Sequence, residues 1–146
     1  MIKRITVLVL YLVLWPIMAY AEGVPEVVLQ TIAMEGANQS VEGQMLIAST
    51  ILNRARIRHT TPEVEAIRPF QYSCWNDRRW AKTWLSRHYD RQTRLSALSA
   101  YHEAINAKEG YPVLTHYHTI SIKPYWAKGR KPDVVIGQHA FYSGID

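Results

Sequence analysis

Apolar and polar positions in the first half of the chain repeat at helical spacing. Val28, Ile32 and Glu35 lie three and four residues apart, so a first helix would end with a carboxylate beside its apolar stripe. Pro25 suits the first turn of that helix, and Gly36 or Asn38 can stop it through a left-handed C-terminal cap. Ser40 is an N-cap candidate for a second helix in which Val41, Met45, Ala48, Leu52 and Ala55 recur at three- and four-residue intervals, finishing near Arg58. Thr61, Pro62 and Glu63 open a short helical turn that closes near Arg68 and Pro69. Asp90 caps a longer helix with Leu95, Leu98, Tyr101 and Ile105 on one face; Gly110 and Pro112 stop it, and it is expected to pack on the helix carrying Asn53.

Beyond Pro112 the period changes. Val113 to Ile122 alternates and is rich in Thr, Tyr, Ile and Val, Pro124 ends it, and Val134 to Tyr142 forms a second extended segment around Gly137. Lys128-Gly129-Arg130-Lys131-Pro132 is a basic loop between them. The pattern predicts an α+β fold, mainly helical, with a small antiparallel β unit beside the helices.

The amino terminus stands apart. Lys3 and Arg4 precede an apolar run from Ile5 to Met18, and Ala19-Tyr20-Ala21 has the form of a cleavage site, so residues 1–21 read as an export signal and 22–146 as one mature domain. The competing reading is a retained anchor, for which the run is short and broken by Pro16, since a spanning helix needs about 20 apolar residues. Without Lys3 and Arg4 the chain has 15 basic and 12 acidic residues, a net charge near +3. That excess favours contact with anionic envelope polymers and gives no argument for nucleic acid. Arg54, Arg56 and Arg58 read as a solvated helix end offsetting the macrodipole. Cys74 is the sole cysteine, which excludes an internal disulfide, and its aromatic neighbours mark it as a packed residue rather than a nucleophile.

Candidate chemistry gathers in three places. Glu35, at the end of an apolar helix near a turn, would be partly desolvated, and desolvation of a carboxyl group favours the protonated form a general acid needs. Phe70, Tyr72, Trp75, Trp80 and Trp84 crowd into a stretch with Asn76 and Asp77, a composition suited to the apolar faces and hydroxyl edges of a glycan. Trp80 and Trp84, at i and i+4, are assigned to packing, leaving Trp75, Asn76 and Asp77 as sugar-facing candidates. His116, His118 and His139 raise the question of a metal, but no H-E-x-x-H or cysteine pair accompanies them; sugar contacts or bracing of the sheet compete. No G-x-S-x-G elbow is present.

Four segments carry a family resemblance. Glu35-Gly-Ala-Asn-Gln-Ser-Val-Glu-Gly-Gln44 with Ile51-Leu52-Asn53-Arg54, then Tyr72 to Asp77, then Thr115 to His118 with Pro124 to Ala127, then Ile136 to Tyr142 resemble, in order, the SleB-type cell wall hydrolases. The resemblance implies a lysozyme-like fold similar to lytic transglycosylases, with no cofactor and with peptidoglycan glycan strands as the partner. It places the single catalytic glutamate at Glu35; substrate contacts are expected from Gln39, Trp75, Asn76, Asp77, His116, Tyr117, His118 and Trp126. Many members carry a glutamate where this chain has Gln39, which cannot act as a base. A glycosidase with two carboxylates would need Glu42 or Asp77, about 5–5.5 Å from Glu35 for retention or about 6.5–9.5 Å for inversion. Two other classes remain: an inactive peptidoglycan-binding protein, and an exported hydrolase, such as a nuclease, built on a histidine-bound metal.

Overall fold

A computed structural model describes residues 23–107 and 112–145. The proposed signal segment and the stop at Gly110 lie outside the described residues. Among the described residues five α-helices, α1 (Glu26–Glu35), α2 (Val41–Ile57), α3 (Pro62–Ala66), α4 (Arg78–His88) and α5 (Arg91–Ile105), precede three short strands, β1 (Leu114–Thr119), β2 (Val134–Ile136) and β3 (His139–Ser143). Short 3-10 turns at Ser73–Trp75 and Tyr125–Ala127 complete the order. The α+β class expected from the sequence is observed.

Local chemistry explains the boundaries. Pro25 caps α1, Ser40 Oγ accepts from Gly43 N at 3.2 Å to start α2, Thr61 caps α3 ahead of Pro62, and Asp90 accepts from Thr93 N at 2.8 Å to start α5. Gly36 ends α1 without the expected left-handed conformation: its φ is −98°. Glycine is needed there for space, because a Cβ would fall 2.7 Å from both Gln44 Cγ and Ile32 O.

Helix α2 is the central element, packed against α5 on one side and β1 on the other, with α1 and α3 at its flanks. Burial on two faces explains why its core residues are Leu46, Ile47, Ala48, Thr50 and Ile51, while Val41, expected inward, is exposed. Likewise Leu98 and Tyr101 of α5 are buried with Ala97 and Ala100, but Leu95 and Ile105 are not. Small residues on that face let α5 approach α2 closely.

The second extended segment is a hairpin rather than one strand. Gly137, at φ +55°, reverses the chain between β2 and β3. The sheet order is β1-β3-β2, antiparallel throughout, with Tyr117 opposite Phe141 and Thr119 opposite His139. Leu114 and Phe141 join Leu46 and Ile47 of α2 in a buried cluster, which holds the sheet against the helices.

Arg54 departs from the solvated helix end read from the sequence. Its side chain is only 6% exposed, its Nη1 donates to Thr115 O at 3.0 Å, and its Nε lies 3.6 Å from fully buried Glu65. Glu65 also accepts from Arg58 at 2.9 Å and from Arg68 at 2.6 Å, so the arginine run ties the end of α2 to α3. Burial by itself would raise the Glu65 carboxyl, but the arginine hydrogen bonds outweigh it and hold Glu65 below the usual carboxylate range.

Candidate active site

Glu35 is the last residue of α1, half-buried, with its carboxylate at the negative end of the helix. Three donors offset that position. Ser73 Oγ and Cys74 N donate to Oε1 at 3.1 and 2.8 Å, and the Tyr117 hydroxyl donates to Oε2 at 2.8 Å. They come from two segments far along the chain: the 3-10 turn after α3 and strand β1.

The 3-10 turn is pinned on both sides of Cys74. Buried Tyr72 places its hydroxyl 3.3 Å from Thr50 Oγ1 on α2, and the Trp75 indole donates to Thr31 Oγ1 on α1 at 2.8 Å. Phe70, at φ +63°, turns the chain into this segment. Such a conformation is strained for an aromatic residue, and the anchors that follow hold it.

Burial, and then the nearby Glu35 charge, push the Tyr117 hydroxyl well above the ordinary tyrosine range. The same two causes raise the Cys74 thiol. Tyr117 therefore stays a protonated donor, and Cys74 stays a buried thiol that presents its backbone N–H to the acid. This agrees with reading Cys74 as packing.

Glu35 opens on a cleft of about 350 Å³ whose walls include Ser73, Asn76, Asp77, Trp80, Thr119 and His139. A second cleft, of about 370 Å³, lies on the other side of Tyr117 and is lined by Arg54, Phe70, His116, His118, Pro124 and Trp126 among others. Tyr117 belongs to both features, with its hydroxyl on Glu35 and its side chain in the second wall.

The sequence candidates divide between these clefts. Asn76 and Asp77 stand with Glu35, although Asp77 Oδ1 also caps α4 by accepting from Arg79 N and Trp80 N, both at 2.9 Å. Glu42 lies exposed in the first turn of α2 and is not among the residues lining the Glu35 cleft. His116, His118 and Trp126 form the second cleft, both imidazoles meeting the Trp126 ring edge-on at 5.2 and 5.6 Å. Gln39 sits apart from both, wedged between Gly43 and Gly137; a Cβ on Gly137 would fall 2.5 Å from Gln39 Oε1.

The two tryptophan assignments exchange places. Trp75 is half-buried against the helical core, tethered to Thr31, whereas Trp80 is 46% exposed and lines the Glu35 cleft. Trp84, one turn further along the same face and 6.5 Å from the Trp80 ring, packs on the core, while Trp80 in the first turn of α4 stays at the opening.

Hydrogen bonds set the histidine states. His118 Nδ1 lies 2.8 Å from Thr119 O, so it carries the proton, and Nε2 accepts from the Tyr142 hydroxyl at 2.9 Å. Thr115 donates to Ile145 O, so His116 Nδ1, at 3.1 Å, is the donor to Thr115 Oγ1. Burial, with Arg54 and Arg58 adding repulsion, lowers His116 to about 4. Among the described residues no group of three or more His, Cys, Asp or Glu is placed to hold a metal ion.

Residues that sequence reading did not assign to the acid are Ser73, Cys74 N and His139. Ser73 and Cys74 were legible only as members of the Tyr72 to Asp77 segment, because a backbone donor leaves no mark in side-chain type.

Residues 38–142 match the family described as Cell Wall Hydrolase, the SleB-type domain. The chain belongs to that family. No curated protein and no solved structure matches it. The match to the cell wall hydrolases includes the donors Ser73, Cys74 and Tyr117 and both clefts' aromatic walls, and it starts three residues after Glu35. The place of Glu35 therefore rests on its hydrogen bonds. Among the described residues no helix is long and apolar enough to cross a membrane.

Proposed function

We propose that this cell wall hydrolase cleaves the glycan backbone of peptidoglycan at MurNAc-GlcNAc β-1,4 bonds, as a lytic transglycosylase with Glu35 as its one acid and base. The observation that carries this reading is the convergence of Ser73, Cys74 N and Tyr117 on a single carboxylate at the wall of an open cleft. Glu35 protonates the glycosidic oxygen while the anomeric carbon gains oxocarbenium character. The resulting carboxylate, held by the three donors, then takes the proton of the muramic acid 6-hydroxyl as that oxygen closes on its own anomeric carbon. One carboxylate completes both steps. Glu42 lies outside the lining of this cleft and Asp77 is engaged as a helix cap, which favours this route over a two-carboxylate hydrolase.

Asn76, Asp77 and Trp80 are proposed to meet the sugars beside Glu35. His116, Tyr117, His118 and Trp126 are proposed to meet the strand on the far side of Tyr117. Residues 1–21 act as an export signal in this proposal, delivering residues 22–146 to the envelope where the glycan lies.

Glu35→Gln is nearly isosteric and tests the assignment. A general acid is typically worth about 10²–10⁴-fold, so cleavage of purified peptidoglycan should fall by that factor while melting and glycan binding persist. Full activity in this variant would overturn the reading. Mass analysis of wild-type fragments separates the two product classes: 1,6-anhydromuramic ends support the transglycosylase, and reducing ends alone mean a lysozyme-type muramidase.

A further inference from the structure

Residues 68–71 form a tight turn after α3, closed by Gln71 N donating to Arg68 O at 3.2 Å. Pro69 holds the second position of this turn and Phe70, at φ +63°, the third. That is the pattern of a type II turn, whose third residue takes a positive φ and is ordinarily glycine or asparagine. A phenylalanine there is strained, because its Cβ crowds the backbone where glycine has none.

The ring gains no burial in return. Phe70 is 89% exposed, whereas Phe141, the other phenylalanine of the chain, is fully buried. Backbone strain kept at a residue that packs into no core marks a functional position rather than a structural one. What Phe70 has instead is a place in the wall of the second cleft, beside Gln71 and with His116, His118 and Trp126.

The walls of that cleft are close to neutral. Arg54, the one residue of its lining with a permanent charge, is engaged by Thr115 O and Glu65. Burial, then the repulsion of Arg54 and Arg58, keeps the His116 ring uncharged with its value lowered to about 4. His118 accepts at Nε2 from the Tyr142 hydroxyl, so it is neutral as well. Such walls suit an uncharged ligand with flat apolar faces and hydroxyl edges better than a charged peptide.

We propose that Phe70 is a sugar-stacking residue, its exposed ring taking the apolar face of a glycan unit bound in the second cleft, across Tyr117 from Glu35. This rests on the glycan-cleaving reading above. The strained turn holds the ring in solvent at the cleft wall, and the anchored 3-10 turn that follows keeps it there.

Three variants test this. Phe70→Gly and Phe70→Asn both accept the positive φ and remove the ring, whereas Phe70→Tyr keeps an aromatic face at the same strained place. Each is followed by thermal melts and by retention on two probes, intact purified peptidoglycan and glycan strands freed of stem peptide by an amidase. The apparent Kd of Phe70→Gly for both probes should rise about 3- to 10-fold, the scale of one aromatic contact, while its Tm holds or rises by up to about 5 °C. A ring with a structural role would give the reverse, a lower Tm with retention intact. Phe70→Tyr should stay within about twofold of wild type on both probes. A folded Phe70→Gly with unchanged retention overturns the proposal, as does a fall in Tm in both Phe70→Gly and Phe70→Asn, or a loss in Phe70→Tyr equal to that in Phe70→Gly. A loss confined to intact peptidoglycan also overturns it, by placing the ring on the stem peptide. Glu35→Gln in parallel separates the two claims: an inactive Glu35→Gln beside full retention by Phe70→Gly rejects only Phe70, and an active Glu35→Gln rejects the reaction while retention still decides Phe70.

Discussion

The Tyr117 hydroxyl donates to Glu35 Oε2 at 2.8 Å, joining the end of the first helix to a strand 82 residues later. The phenol, raised well above the ordinary tyrosine range by burial and by the Glu35 charge, remains protonated, so the bond gives the acid a fixed direction. Tyr117→Phe keeps the ring against Tyr72 and Phe141 and removes only this bond. Hydrogen bonds to charged groups contribute about 1.5–3 kcal/mol, which corresponds to a fall of roughly 10- to 100-fold in turnover. Steady-state kinetics on soluble glycan fragments should show the loss in kcat with little change in KM.

Trp75 and Trp80 should separate stability from binding. Trp75→Ala removes a half-buried ring and its hydrogen bond to Thr31, whose hydroxyl keeps its own bond to Val27 O, at a cost on the order of 3 kcal/mol. Trp80→Ala, at the cleft opening, should change stability by less than about 0.5 kcal/mol but weaken retention on insoluble peptidoglycan. Denaturant melts beside pull-down assays would reveal the opposite assignment as readily.

His116 makes the fold acid-sensitive. Its folded value, about 4, lies below the ordinary histidine value of 6.5, so the unfolded chain binds the extra proton first. Stability is unaffected above pH 6.5, falls as the pH drops from there to about 4, and levels off below. The total is up to about 3 kcal/mol. His116→Gln should flatten this limb in melts between pH 7 and 4, and an unchanged limb would assign the sensitivity elsewhere.

Glu65 contributes at lower pH and with the same sign. Its folded carboxyl is held below the usual range, so its contribution is complete above the unfolded value and is lost as pH falls through the folded one. Glu65→Gln leaves three arginines facing a neutral group and should cost about 3–5 kcal/mol at pH 7. The gap between variant and wild type should narrow in urea melts near pH 3.

The sequence by itself determined three helix starts that depend on a side chain reaching its own next turn, with Ser40, Thr61 and Asp90 capping where their chemistry requires, but not the fourth, at Asp77, which sits in a stretch whose aromatic composition hides it. It also determined the change to an extended period after Pro112 and the cell wall hydrolase family, because spacing and residue type are local properties. Tertiary structure decided what lies across from what. Arg54 reads as a surface charge until α3 brings Glu65 against it, and Val134 to Tyr142 reads as one strand until Gly137 turns it back. The same holds for the site: Glu35 marks itself by type and place, but its partners are a serine, a backbone amide and a half-buried phenol. A hydrogen bond between residues 82 apart leaves no periodic trace in the chain, and only packing of the sheet on α2 brings Tyr117 to the acid.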